Sequence, residues 1–383
     1  MVDEAAVPGD PVADEQAEPT VADAEAAAAA TRQAVSAPQT AGQAEPPGTS
    51  ELKTSRSHAK AAAPTDRPSA PDGFRYRRVV VDVPATTANL GAGYDALALA
   101  LDLRNRISVE ITDSPGLELS VEGEGAGVLP TSRDNRFVVA LETGLRWALG
   151  QVPADLGFRV HMQNQVPIAR GLGSSAAATV AGLVAADALT GDGLDQRRLL
   201  TLSIEIEGHP DNATAALLGG FVVIAMVDGR PETVRFEPPR DLRAVLFIPD
   251  KPLSTSAMRA ALPHDVPHRD AVFNIGRVAL AVAGLAAGRS EVLRAATEDR
   301  IHEQYRAEVY PELPRLTAAA RAAGALGACL SGSGSTVIAF GDSVRGLTHI
   351  EAAFLATAAE LDLAGTVQVV RPRSAGAVII ESS

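Results

Sequence analysis

Apolar residues gather abruptly at Arg78, where Val79-Val80-Val81-Asp82-Val83 reads as a strand. Ile107, Val109 and Ile111 alternate with polar neighbours as a second strand, and Leu117, Leu119 and Val121 as a third. The period then changes. Val138, Leu141 and Leu145 recur at helical spacing after Asn135 and stop at Gly150, which predicts a helix closed by that glycine. Phe158, Val160 and Met162 alternate again as a strand, and residues 175–189 read as a strongly apolar helix. Further strands are predicted at 221–226, 243–247, 336–340, 366–370 and 377–380, with helices around 254–262, 268–287, 313–323 and 345–361. Because strands and helices mix without regular alternation, the pattern favours an α+β fold over a doubly wound parallel sheet.

Residues 1–72 hold almost no large aliphatic side chains and show neither period, so they are expected to form a disordered, low-complexity tail. The remainder exceeds what one core usually fills, roughly 250 to 300 residues. A boundary is placed near Pro238-Pro239, giving domains at 73–238 and 239–383. The single cysteine, Cys329, excludes an internal disulfide framework and a Cys-based zinc site, which points to a reducing, cytoplasmic setting. No secretory signal and no long apolar span is read from the sequence. A formal net charge of −13 opposes binding to nucleic acid or anionic membranes, so an anionic cosubstrate needs a local site.

Three glycine-bearing segments supply such candidates. In Pro167-Ile168-Ala169-Arg170-Gly171-Leu172-Gly173-Ser174-Ser175-Ala176-Ala177, the two glycines can take positive φ while Ser174 or Ser175 caps the following helix. Backbone N–H groups and the positive end of that helix would converge on one anion. The residues differ from a Walker loop, since no Lys-Ser/Thr pair follows; a plain Gly-Ser turn before a helix explains them equally well locally. The second segment, Pro84-Ala85-Thr86-Thr87-Ala88-Asn89-Leu90-Gly91-Ala92-Gly93-Tyr94-Asp95, offers Asn89 and Asp95 to a polar ligand or reads as an Asx-type turn. The third, Ser331-Gly332-Ser333-Gly334-Ser335, reads alone as a flexible turn between a helix end and a strand. A fourth cluster, Glu205, Glu207, His209, Asp211 and Asn212, sits at a helix end, where a carboxylate could hold Mg²⁺.

Taken in order, PATTANLGAGYD, PIARGLGSSAA, EGHPDN and CLSGSGS resemble the signature motifs of the GHMP kinases, and of their homoserine kinase branch in particular. The resemblance runs from about residue 78 to the C-terminus. It implies an N-terminal α+β domain resembling a ribosomal-protein fold, a ferredoxin-like C-terminal domain, and ATP-dependent phosphorylation of L-homoserine in threonine biosynthesis. By the same resemblance, residues 167–177 would bind ATP, with Ser175 and Glu207 on Mg²⁺. Asn89, Asp95, His209, Asp211, Arg259 and Arg306 would bind homoserine, the arginines at its carboxylate and Asp95 at its amino group. His209 and Asp211 are the only candidates for a catalytic role, and neither is required as a base. The sequence leaves monomer and homodimer open, the homodimer being the commonest oligomer. Three positions depart from the usual pattern: Ala92 stands for Pro, Tyr94 for Phe, and Ser335 for a closing Pro whose fixed φ would stiffen the third loop.

Overall fold

The computed structural model describes residues 70–191 and 193–383; all but the last three residues of the expected tail lie outside them. The strands are β1 (Arg78–Ala88), β2 (Leu97–Thr112), β3 (Gly116–Gly123), β4 (Gly157–Asn164), β5 (Phe221–Val227), β6 (Arg230–Phe236), β7 (Arg243–Pro249), β8 (Gly327–Leu330), β9 (Val337–Gly341), β10 (Gly365–Val370) and β11 (Val378–Ser382). The helices are α1 (Arg136–Leu149), α2 (Ser174–Thr190), α3 (Gln196–Glu207), α4 (Asp211–Leu218), α5 (Thr255–Ala260), α6 (His268–Ala286), α7 (Leu293–Ala296), α8 (Glu303–Arg306), α9 (Leu313–Ala322) and α10 (Val344–Glu360).

The strands form two sheets. The first runs β11-β1-β2-β4-β3, with the β5-β6 hairpin attached to the start of β2, and only its β3-β4 pair is parallel. The second is antiparallel, in the order β10-β7-β9-β8. Strands and helices mix as the α+β reading requires. The last strand, β11, follows the second sheet in sequence but pairs with β1 in the first.

The helices expected from periodicity form, and α1 has the ends predicted for it. Asn135 accepts from the Phe137 N–H at the start of α1, and Gly150 closes it at φ 79°. Helix α2 is buried almost all round because it lies between α1 and β1. Its small side chains permit this approach: a Cβ at Gly182 would stand 2.4 Å from the Phe137 carbonyl. Val79, Val81, Ile107, Val109, Phe158 and Leu141 pack with α2 in one core, while Phe247, Phe354, Leu316 and Ile338-side neighbours such as Val337 fill another under the second sheet. A third cluster joins the sheets through Leu99, Leu101, Leu246 and Phe340.

Three local expectations change. The second glycine segment, Pro84 to Asp95, is not a turn throughout: β1 continues to Ala88, because a register shift at Pro84/Ala85 lets the proline occupy an irregularity and returns the chain to pairing with β2. The chain leaves the strand at Asn89, where Asn89, Leu90 and Gly91 all take positive φ. The Ser331 segment follows β8, not a helix end, and forms the β8-β9 connection. Finally, α2 is entered through left-handed Gly173 with no side-chain cap, so Ser174 and Ser175 lie inside its first turn. None of the helices is long and apolar enough to cross a membrane, among the described residues.

Candidate active site

One cavity of about 120 Å³ brings the four sequence segments together. Its floor is the loop ahead of α2. Gly171 and Gly173 adopt φ 74° and 70°, and Ala177 N–H is the first to reach back within the helix, to the Gly173 carbonyl at 2.8 Å. The N–H groups of the preceding turn therefore face outward without helical acceptors, at the positive end of a 17-residue helix. The β8-β9 connection clamps this loop from behind. Thr336 N–H donates to the Arg170 carbonyl at 3.0 Å, and Ser331 Oγ lies 2.7 Å from the Gly171 carbonyl and 2.9 Å from Thr87 Oγ1. A hydroxyl has one proton, so Ser331 donates to the carbonyl and accepts from Thr87. Arg170 adds a tie, donating to the Pro249 and Asp250 carbonyls at 2.7 and 2.5 Å. Ser335 supplies another: its hydroxyl donates to the Lys251 carbonyl at 2.7 Å, holding the loop where proline would have fixed φ.

Beside the loop stands Glu207, the last residue of α3, with a side chain 3% exposed. Its Oε1 accepts from Ser175 Oγ at 3.0 Å and Thr179 Oγ1 at 2.5 Å. Helix α4 then begins with buried Asp211, whose Oδ1 accepts from Asn212 N–H at 2.7 Å and faces His209 Nδ1 at 3.2 Å. That hydrogen bond raises the His209 pKa above its ordinary value, against the opposing effect of burial. Asn212 in turn accepts from Thr86 Oγ1 at 2.8 Å, linking α4 to β1.

The opposite wall is charged. Arg259, in α5, donates from Nη2 to Asp95 Oδ1 at 2.9 Å and from Nη1 to Asp95 Oδ2 at 3.1 Å, a bidentate pair. The sequence reading gave these two residues opposite ends of a ligand; here they bind each other. Arg306 is 1% exposed and is fixed from below, its Nη1 donating to the Gly332 carbonyl at 2.9 Å and to His302 Nδ1 at 3.2 Å. His302 is neutral: burial lowers its pKa to about 4, and its Nε2–H donates to the Gly91 carbonyl, leaving Nδ1 to accept. Asn89 spans two segments, its Nδ2 donating to Gly332 O at 2.9 Å and its Oδ1 accepting from Asp95 N–H at 3.0 Å.

Asn89, Asp95, Glu207, His209, Asp211, Arg259 and Arg306 thus all line the cavity, together with residues 169–176. Ala177 does not, being sealed in the core, and Pro167 and Ile168 border a neighbouring hollow between the loop and β7. Glu205, from the same acidic cluster, is exposed and points elsewhere. Asn212, Thr255 and Ser333, to which the sequence assigns no ligand role, also line the cavity, Ser333 from the third glycine segment. Asn212 and Ser333 carried a signal in their places within the fourth cluster and the third segment, and Thr255 carried none.

The family model of the GHMP kinases N terminal domain matches residues 135–220, and that of the GHMP kinases C terminal matches 281–353. The chain is 45% identical over 273 residues to a homoserine kinase of Streptomyces coelicolor, covering 70% of this chain and 86% of that protein. It is 41% identical over 302 residues to a homoserine kinase of Moorella thermoacetica, covering 79% and 99%. The chain belongs to the homoserine kinase family. Among solved structures, a homoserine kinase from Cytophaga hutchinsonii superposes with a TM-score of 0.72 at 28% identity, covering 80% of this chain and 98% of that one. A Leishmania major mevalonate kinase shares the fold at 17% identity and a TM-score of 0.56, covering 79% and 98%. The family's fold is thus the two-sheet α+β arrangement described above, and the GHMP motifs fall on the cavity it forms.

Behind the wall, Glu303 opens α8 and accepts from Leu330 N–H at 2.7 Å. Withdrawal from water raises its carboxyl to about 7; Asp299 adds to the rise, while Arg321 and Arg306 oppose it. The folded chain therefore holds a proton that the unfolded chain releases near 4.5, so this stabilising contribution is complete below pH 4.5 and is lost as pH rises through 7. Glu303→Gln keeps an acceptor for Leu330 and removes the ionisation. The variant is expected to be more stable than the unaltered chain at pH 8 by about 1–2 kcal/mol, with the gap closing by pH 5, as read by denaturant titration at both values.

Proposed function

We propose that the chain transfers the γ-phosphoryl group of ATP to the side-chain hydroxyl of L-homoserine, giving O-phospho-L-homoserine for threonine biosynthesis. The observation that carries this reading is the pairing, across one cavity, of a helix N-terminal anion site with a wall bearing both Asp95 and two arginines. An α-amino acid needs both charges. A mevalonate-type or sugar alcohol has no ammonium group for Asp95.

In this reading the loop at 169–176 receives the ATP phosphates, its outward N–H groups and the α2 dipole meeting the negative charge. The oxygen donors at its edge suit a hard cation: Ser175 Oγ and the Glu207 carboxylate stand 3.0 Å apart beside the phosphate site. A Mg²⁺ ion held there with the phosphates would supply charge neutralisation at the transferring group. The chain's own part is positioning. Arg259 and Arg306 take the substrate carboxylate, and Asp95 the ammonium, so that a zwitterion replaces the Asp95-Arg259 ion pair with two pairs of its own. That exchange conserves charge within the wall. His209 and Asp211 lie on the side of the cavity nearer Glu207 and orient the hydroxyl. With phosphoryl transfer driven by positioning and electrostatic stabilisation, neither has to be a strong base.

The test is ADP release with Mg-ATP across L-homoserine, L-serine, L-threonine, mevalonate and galactose. Turnover confined to homoserine is expected. In the same assay Arg306→Ala should lower kcat/KM for homoserine about a hundredfold, since it removes a carboxylate partner, leaves His302 Nδ1 without its donor and leaves the Gly332 carbonyl with Asn89 alone. Turnover on a non-amino alcohol instead would remove the basis for the arginine and Asp95 roles.

A further inference from the structure

We propose that Tyr94 is a positioning residue for substrate binding: its hydroxyl keeps Arg259 in place while Asp95 changes partners, and its ring holds Arg259 and Arg306 at a fixed spacing. The inference rests on the reading of the site as an amino-acid kinase. Tyr94 immediately precedes Asp95, and three groups converge on it. The Arg259 and Arg306 guanidinium carbons lie 5.8 and 5.5 Å from its ring centroid, and the His302 ring stands 5.3 Å away at 39°. Its oxygen accepts from Arg259 Nη1 at 2.9 Å.

Each contact answers a physical requirement. Two guanidinium groups sharing one cavity repel, and Arg306 shows it: burial first, and then the charge of Arg259 among other groups, lowers its pKa. The face of an aromatic ring attracts both cations without adding a formal charge. Arg306 is also locked by Gly332 and His302, whereas the Arg259 side chain is 38% exposed and, among the described residues, its other hydrogen bonds go to Asp95 alone. If Asp95 turns to a substrate ammonium, Arg259 keeps one tether, the Tyr94 hydroxyl. Without it, a long side chain facing water recovers rotamer freedom that carboxylate binding must then remove. The phenol is suited to remain an uncharged acceptor at neutral pH, because burial and the neighbouring Asp95 raise its pKa. Phenylalanine, usual in this motif of the family, would keep the ring and lose the tether.

The experiment compares the unaltered chain with Tyr94→Phe and Tyr94→Leu, measuring kcat and KM for L-homoserine and for ATP, with melting temperature alongside. Loss of one hydrogen bond to a charged group predicts that Tyr94→Phe raises the homoserine KM about five- to tenfold, with kcat, the ATP KM and melting temperature nearly unchanged. Tyr94→Leu, which also removes the ring, is expected to raise the homoserine KM further. An unchanged homoserine KM in Tyr94→Phe, or equal changes in the homoserine and ATP KM values, would overturn the proposal while turnover by the unaltered chain leaves the proposed function standing. Absence of homoserine turnover by the unaltered chain would overturn that function and this inference with it.

Discussion

Glu207→Gln is expected to lower kcat by roughly a thousandfold while the protein stays folded. The side chain is nearly buried at the end of α3, where its Oε1 accepts from Ser175 and Thr179. Glutamine has the same length and keeps an acceptor oxygen for both hydroxyls, so α2 and α3 remain joined. What it removes is a negative charge beside the Gly171–Gly173 loop, the charge that in the proposed reading holds a divalent cation together with Ser175. Its formal partner, Arg136 Nε, lies 3.8 Å away and is half exposed, so it can turn to water at small cost. The expected signature is a large fall in kcat, a rise in the Mg²⁺ concentration needed for half-maximal rate, and a melting temperature within a few degrees of the unaltered chain. A kcat within threefold of the unaltered value would remove Glu207 from the site's chemistry.

Gly171→Ala is expected to lower turnover several hundredfold and to destabilise the fold as well. Gly171 has φ 74°, where a side chain costs about 1–2 kcal/mol. The larger effect is steric. An added Cβ would stand 2.1 Å from the Ser331 carbonyl and 2.7 Å from the Gly334 nitrogen, both backbone atoms of the β8-β9 connection, which cannot rotate aside. The loop must part from its clamp, and the outward N–H groups lose their common aim at the phosphates. Gly127→Ala provides the control, since Gly127 has φ 72° but nothing within 4 Å of the added carbon. It should show the conformational cost alone, about 1 kcal/mol of stability with activity retained. Equal behaviour of the two variants in activity and denaturation assays would mean that the clamp has no part in catalysis.

The sequence was most legible where structure is local. The caps of α1, the apolar course of α2 and the alternation of β2 and β4 each depend on residues a few positions apart, and all form where periodicity puts them. β6 and β8 escaped notice for different reasons. The run Arg230-Pro231-Glu232-Thr233-Val234-Arg235-Phe236 is polar because it forms the free edge of the β5-β6 hairpin, while Gly327-Ala328-Cys329-Leu330 is short and built of small residues that only a surrounding core makes a strand. The second glycine segment misled in the opposite direction: its proline, threonines and alanines read as a turn, yet pairing with β2 holds them extended to Ala88.

The site divides in the same way. Glycines ahead of an Ala-rich helix, and carboxylates clustered at a helix end, are contiguous features, so the sequence by itself determined which segments are the candidates for receiving an anion and a cation and to which family the motifs point. It could not reveal that Asp95 meets Arg259 across 164 positions, that Gly332 serves both Asn89 and Arg306, or that two guanidinium groups come within 5.8 Å of the Tyr94 ring centroid. Those contacts are made when β1, α5, α8 and the β8-β9 connection pack about one cavity. Hydrogen bonds and charge pairs act over a few ångströms of space irrespective of separation along the chain, and only the tertiary structure decides which distant residues come that close.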